Sequence, residues 1–337
     1  MIIRDPKKRF KILRAVLGVC LFLFIIIEAL VSRAPVLPAK SFGVTFSYPY
    51  AEQFGLDWKE TYHAILGDLN VRHIRIPVYW PEVSHKMGGF YFDNYDYQMR
   101  EAQLKQVKVI LAVGRKLPRW PECHTAAWAN SLSGEWRQEE LLKYISAVVQ
   151  RYKNSPALSA WQVENEPFLS FGVCPPLDVN FLDREIALVR LLDSHHPIVV
   201  TDSGELSIWM RAASRADIFG TTMYRTIYKN NIGYFTYPLP PSFFRLKRAL
   251  TELVVGERPM IVIELQAESW GPRLVYDMDK TEQYKSFNPQ KFEETVAYAK
   301  RTGFDTFYFW GVEWWYWLRV HEHDPEIWNK AKALFNG

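Results

Sequence analysis

The sequence predicts an α/β protein of the (β/α)8, or TIM, barrel type, and three observations carry that reading. Strand-length apolar runs alternate with helix-period patterns eight times from residue 41 onward, which implies parallel strands joined by crossover helices. Residues 41–337 are long enough for eight such units with enlarged loops. No GxGxxG turn follows the first run, which disfavours the alternative, a doubly wound open sheet.

The chain opens on a basic tail, residues 1–14. Arg4, Lys7, Lys8, Arg9, Lys11 and Arg14 against Asp5 leave it at +5 out of a total of +4. The rest is therefore close to neutral and offers no sign of the basic face that nucleic-acid binding needs. Residues 15–31 form an apolar run, about 25 Å as a helix, and read as a transmembrane or signal-anchor helix. Because Lys and Arg precede it, the tail is expected in the cytoplasm, with the remainder extracytoplasmic and the bilayer a partner. A cleaved signal peptide, hence a secreted protein, is the competing reading; Arg33 interrupts the best place for a cleavage site. Residues 32–40, with Pro35 and Pro38, read as a linker.

The barrel strands are expected at Ser41–Ser47, Val71–Pro77, Val107–Val113, Leu158–Glu164, Pro197–Thr201, Asp217–Thr222, Pro259–Glu264 and Thr306–Trp310. The pattern places helices at Trp58–Leu69, Tyr95–Gln106, Gln138–Tyr152, Asn180–Ser194, Leu206–Ala213, Ser242–Val255, Thr281–Thr302 and Asp324–Phe335. Arg115–Glu135 and Tyr224–Pro241 are the long loops. Cys123 and Cys174 follow neighbouring strands on the same side, so a disulfide and two free thiols are both open. Lacking CxxC and HExxH spacings, the sequence suggests no metal site and no cofactor.

In such a barrel the reactive groups follow the strand C-termini. The fourth strand ends Trp161-Gln-Val-Glu-Asn-Glu-Pro167, with two carboxylates and an amide in three residues. A buried acid without a partner is costly, so these acids need partners or a use. Arg75 and Trp80 follow the second strand, Trp120 the third, Tyr224 the sixth, Glu264 the seventh, and Trp310 and Trp314 the eighth. Carboxylates, an arginine, amide and phenol donors and flat aromatics on one face suit glycosidic bonds. An oxocarbenium-like transition state calls for one carboxylic acid at the leaving oxygen and one carboxylate at the anomeric carbon. Sugar rings offer C–H faces to tryptophan.

Trp161–Pro167 resembles the fourth strand of clan A glycoside hydrolases, Met260–Glu264 their seventh and Phe307–Trp310 their eighth. Ile74–Trp80, followed by Gly88–Asp93, is similar to the second-strand region of the cellulase-like and β-galactosidase-like families. The resemblance spans roughly residues 41–320 and does not select one family. It implies a retaining hydrolase of a poly- or oligosaccharide, with Glu166 as acid/base and Glu264 as nucleophile. It further implies Asn165 on the sugar's 2-hydroxyl, Arg75 orienting Glu264, Tyr224 bonded to the same carboxylate, and Trp310 as a platform.

Glu164 is the alternative acid, since it shares strand parity with Glu166, and Glu268 is the alternative nucleophile. His73 and His124 read as structural, and Asp202 and Glu205 as cap and loop residues. Trp80, Trp120, Trp270 and Trp314 fall in expected loops, where contact with sugar is anticipated for Trp80, Trp120 and Trp314. A non-catalytic carbohydrate-binding barrel and a transglycosylase are the other functional readings.

Overall fold

The structure, a computed structural model, describes residues 39–337 and, before them, residues 10, 14 and 18 only. Nearly all of the expected anchor 15–31, tail and linker thus lie outside the described residues. No helix among the described residues is long and apolar enough to cross a membrane.

Eight parallel strands close into a barrel. They are β1 (Ser41–Thr45), β2 (His73–Pro77), β3 (Lys108–Val113), β4 (Leu158–Val163), β5 (Ile198–Asp202), β6 (Ile218–Met223), β9 (Met260–Gln266) and β10 (Thr306–Trp310), with an antiparallel hairpin of β7 (Thr226–Lys229) and β8 (Gly233–Thr236) after β6. Closure is the pairing of β1 with β10, from Ser41 opposite Thr306 to Thr45 opposite Trp310. Successive side chains on a strand point to opposite faces, and the residues follow. Val44, Ile74, Leu111, Trp161, Val200 and Phe307 belong to the large core of buried residues, whereas Ile110, Ala160, Val199, Ile261, Ile263 and Tyr308 form a separate, smaller cluster. That smaller cluster fills the barrel's lower interior.

The expected elements are found with ends shifted in either direction, and several of the differences have local causes. β1 stops at Thr45 because Ser47 caps a helix, Tyr48–Gln53, accepting from the Tyr50 amide at 3.4 Å. The single helix expected over Thr281–Thr302 is two, Lys280–Ser286 and Pro289–Ala299. Pro289 lacks the amide hydrogen to continue the first, and Asn288 caps the second by accepting from the Lys291 amide at 3.0 Å. Trp314 lies in a helix, Val312–Val320, rather than a loop. The loop Tyr224–Pro241 contains the β7–β8 hairpin.

Gly43 is tightly enclosed by β2 and β10: a Cβ there would lie 2.5 Å from the His73 carbonyl oxygen and 2.9 Å from the Tyr308 ring. Gly43→Ala is therefore expected to destabilise the barrel by about 1–3 kcal/mol, the usual cost of overpacking. Urea unfolding would show it as a lower midpoint with unchanged slope.

Candidate active site

Arg75 stands fully buried in the middle of β2. Its three nitrogens donate to three side chains: Nε to Gln162 Oε1 at 2.8 Å, Nη1 to Glu264 Oε1 at 2.7 Å and Nη2 to Asn165 Oδ1 at 2.7 Å. Tyr224 donates its hydroxyl to the other oxygen of Glu264 at 3.0 Å. Glu264 thus has a donor on each of its two oxygens, one from β2 and one from the residue that follows β6.

Strand alternation alone does not put Glu264 there. Ile261 and Ile263 belong to the inner cluster, so the next residue ought to point outward. The register shifts at this point on both sides of β9: Thr221 and Thr222 of β6 oppose Val262 and Glu264, and Phe307 and Phe309 of β10 oppose Val262 and Leu265. The extra residue is a bulge, which re-aims a side chain. It turns Glu264 inward to Arg75.

β4 uses a different device. The strand ends at Val163, and Glu164 and Glu166 both take left-handed backbone, φ 57° and 43°, conformations uncommon for residues with a Cβ. The three residues diverge as a result. Asn165 turns inward, its Oδ1 also accepting from Thr201 Oγ1 at 3.2 Å and Gln162 Nε2 at 3.3 Å. Glu166 receives Thr222 Oγ1 at 3.1 Å, while its amide donates to Thr201 Oγ1 at 2.8 Å. Glu164 turns away, accepting the amides of Arg115 and Lys116 at 2.7 and 2.6 Å and lying against Glu185 of the helix Val179–Leu192. The alternative acid is thus occupied in holding the loop after β3.

Burial raises the Glu166 carboxyl well above the ordinary range, and the negative charges of Glu264 and Glu122 add to it, with Lys116 opposing. The two carboxyls from β4 and β9 therefore share one electrostatic environment. Glu268, the alternative nucleophile, belongs to another group. Arg119 donates to Glu268 at 2.7 Å and to Glu313 at 2.7 Å, and its guanidinium lies between the rings of Tyr50, 3.6 Å away, and Trp310, 4.0 Å away. Burial works against the Arg119 charge, but Glu268 and Glu313 more than offset it. Trp310 is consequently covered by an arginine on one face.

The tryptophans separate. Trp80 and Trp314 are fully buried, and the expected sugar contact is corrected for both. Trp80 packs against Trp128 and Tyr144, and Trp314 donates Nε1 to Gln283 Oε1 at 2.8 Å within the helical layer. Both lie in helices, Trp80–Val83 and Val312–Val320, and turn inward from them. Trp120 is 53% exposed and meets Phe171, which meets Trp270, which lies edge-on to Tyr224 at 5.4 Å. The rings form a track leading outward from Glu264. Cys123 and Cys174 are disulfide-bonded, tying together the loops that carry Trp120 and Phe171. His124 serves structure: it packs on Tyr79 at 4.4 Å and bonds the Arg119 carbonyl at 3.1 Å, and burial lowers it to about 4. Arg119 and Glu122 went unassigned in the sequence; their only signal was the crowding of charge and Trp in Pro118–His124.

No family model matches the chain. It is 33% identical over 118 residues to mannan endo-1,4-β-mannosidase A of Podospora anserina, covering 32% of this chain and 31% of that protein. With the enzyme of the same name from Hypocrea jecorina it shares 24% identity over 226 residues, 64% of this chain and 50% of the relative. It therefore spans a third to a half of the length of these curated relatives. The resemblance is to clan A glycoside hydrolases. Among solved structures, the barrel superposes on GH5_18 of Bifidobacterium longum subsp. longum with TM-score 0.56 and 14% identity, over 80% of this chain and 69% of that one. A β-galactosidase of Halorubrum lacusprofundi gives TM-score 0.55 at 14% identity, over 80% and 52%. These likenesses concern the fold, and they do not single out one family.

The division of the tryptophans is open to measurement. Trp80→Ala is expected to cost about 3–5 kcal/mol, as for other buried large side chains, whereas Trp120→Ala should stay within about 0.5 kcal/mol. Chemical denaturation of the two variants side by side checks this; equal losses would contradict the placement.

Proposed function

We propose that the barrel is a retaining glycoside hydrolase of poly- or oligosaccharides, with Glu264 as nucleophile and Glu166 as acid/base. The observation that carries it is the single guanidinium of Arg75 holding both Glu264 and Asn165, the residue beside Glu166. A carboxylate oriented on both oxygens is prepared for attack on an anomeric carbon. A carboxyl raised by burial and by that neighbouring charge is prepared to donate a proton.

In the first step Glu264 forms a bond to the anomeric carbon as the glycosidic C–O bond breaks, and the Glu166 proton passes to the leaving oxygen. In the second, Glu166 takes a proton from water, whose oxygen displaces Glu264 and restores both groups. Tyr224 and Arg75 hold Glu264 in line throughout. The mannanase relatives make β-mannan and β-manno-oligosaccharides the first substrates to try, and the aromatic track from Tyr224 to Trp120 supports a substrate longer than one sugar. The Cys123–Cys174 bridge supports an oxidising compartment, consistent with residues 15–31 serving as an anchor or export signal.

A panel of 2-deoxy-2-fluoro glycosides tests the assignment. One sugar should trap a covalent adduct, and the labelled peptide should contain Glu264; a label on Glu268, or none with any sugar, would overturn it. Glu264→Gln should abolish turnover with the fold intact. Glu166→Gln should lower kcat about 10²–10⁴-fold, less for aryl glycosides whose leaving group needs no proton.

The pH profile has a definite sign. Glu166 must hold its proton to donate, and its pKa is raised, so activity should persist well above the pH at which an ordinary glutamic acid, about 4.3, ionises. It should then fall as pH rises through the Glu166 titration. A basic limb already complete near pH 5 would contradict the role.

A further inference from the structure

Lys116 touches all three of the residues that follow β4. Its amide donates to Glu164 Oε2 at 2.6 Å, its carbonyl accepts from the Asn165 amide at 2.6 Å, and its Nζ donates to the Glu166 carbonyl at 2.9 Å. Two of those three have left-handed backbone, which persists only where surrounding contacts over-determine it. The Nζ also donates to the Leu169 carbonyl at 2.6 Å, and the Leu169 amide donates to the Glu166 carbonyl at 2.9 Å. One ammonium thus closes the turn that carries Glu166. Lys116 is itself held, since it pairs with Cys123 in an antiparallel bridge and Cys123 is disulfide-bonded to Cys174.

Two carbonyls do not require a cation. A neutral amide could donate to them, and a buried charge is costly unless it is paired. Lys116 is buried, yet the partners of its Nζ are those two carbonyls, and no carboxylate among the described residues forms an ion pair with it. The charge of the preceding residue, Arg115, acts on Glu164 and Glu185, the pair that turns away from the site. That of Lys116 falls on the other side. The titratable groups facing Glu166 are Glu264 of β9, Glu122 of the loop after β3, Asp202 at the end of β5 and Tyr224 after β6. Burial first, then Glu264 and Glu122, raise the Glu166 carboxyl, and Lys116 opposes them. The same charge works against the rise that burial imposes on Glu122 and Asp202.

We propose that Lys116 is a positioning residue for the acid/base: its ammonium fixes the Glu166 peptide and sets a permanent positive charge near a carboxyl otherwise surrounded by acids. The proposal rests on Glu166 as acid/base. That role has two halves with opposite demands. Giving a proton to the leaving oxygen needs the proton retained, whereas taking one from water needs the carboxyl ionised. Burial among like charges serves the first half alone. A fixed cation serves the second, and general acid–base catalysis is most efficient when the group titrates near the working pH. Lysine supplies the charge and both hydrogen bonds from one side chain.

The test follows hydrolysis of mannotetraose, cellotetraose or β-galactotetraose against pH, the sugar being the one that the 2-fluoro panel labels. Their leaving oxygens are sugar hydroxyls, which need the Glu166 proton. Lys116→Gln keeps a donor for the carbonyls and removes the charge. The basic limb of its kcat/KM profile should move up by about one pH unit, the low end of what an opposite charge a few ångströms away produces. The sign follows because a carboxyl that has lost a nearby cation keeps its proton to higher pH. Lys116→Met, which removes the donor as well, should show the same shift with kcat lower by about 10-fold or more. Lys116→Arg keeps the charge and should leave the limb in place. A limb that stays put in Lys116→Gln overturns the proposal, as does one that moves equally far in Lys116→Arg; mere bracing of the turn lowers activity without moving a limb. If the Met or Arg variant does not fold, the Gln variant decides by the position of its limb. Wild type and Glu166→Gln report separately on the acid/base. An unlabelled, inactive wild type, or a basic limb that survives in Glu166→Gln, removes that assignment and this proposal with it, whereas an intact label with an unmoved limb overturns Lys116 alone.

Discussion

The Arg75 guanidinium is the contact on which the rest of the site depends. It lies inside a closed barrel, fully buried, and ties β2 to residues of β4 and β9 and to the turn after β4. A charge so placed must be fully hydrogen-bonded, and removing one partner of a buried ion pair generally costs about 3–5 kcal/mol. Every acceptor of Arg75 is in turn held by another group: Asn165 by Thr201, Glu264 by Tyr224, and Gln162 through its Nε2, which donates to the Glu164 carbonyl. Such a network is rigid because no member can move without leaving a buried polar atom unpaired. Rigidity of that kind is what a group poised for attack requires.

Around this centre the backbone departs from regular geometry where function asks for it. A bulge in β9 turns Glu264 inward, and left-handed residues after β4 send Glu164 and Glu166 to different environments. Arg119 and Glu122 likewise have positive φ, 81° and 73°, in the loop tied by Cys123–Cys174. Uncommon conformations of this kind persist where surrounding contacts over-determine them, and they gather at functional sites. Arg119, flanked by Glu268 and Glu313 and stacked between Tyr50 and Trp310, joins the loops after β3, β9 and β10 into one wall. Glu268 and Glu313 pair with its two terminal nitrogens, while its buried Nε has no hydrogen-bond partner in the protein.

Strand and helix order was legible in the sequence because each barrel strand carries a short apolar run and each helix a 3.6-residue pattern. The ends were less so. Ser47 and Asn288 read as ordinary polar residues until the helices they cap are seen. Trp80 and Trp314 show the limit of reading aromatics one at a time: both sit near strand ends, yet both are buried in the layer outside the barrel. Trp120, in the same kind of position, is exposed. Only packing against neighbours distant in the chain separates the two outcomes.

By itself, the sequence determined that two acids and an amide close the fourth strand, that a third acid closes the seventh, and that eight alternating units must carry them on one face. Those follow from local periodicity and from the rule that parallel strands need crossovers. The tertiary structure decided which acids meet. Glu164 and Glu268 differ from Glu166 and Glu264 in nothing the residue types reveal; a one-residue bulge, two left-handed residues and the positions of Arg75 and Arg119 separate them. It also brought in Glu122, 44 residues before Glu166 in the chain. The physical reason is that electrostatics acts through space, while sequence pattern records only what lies a few bonds away.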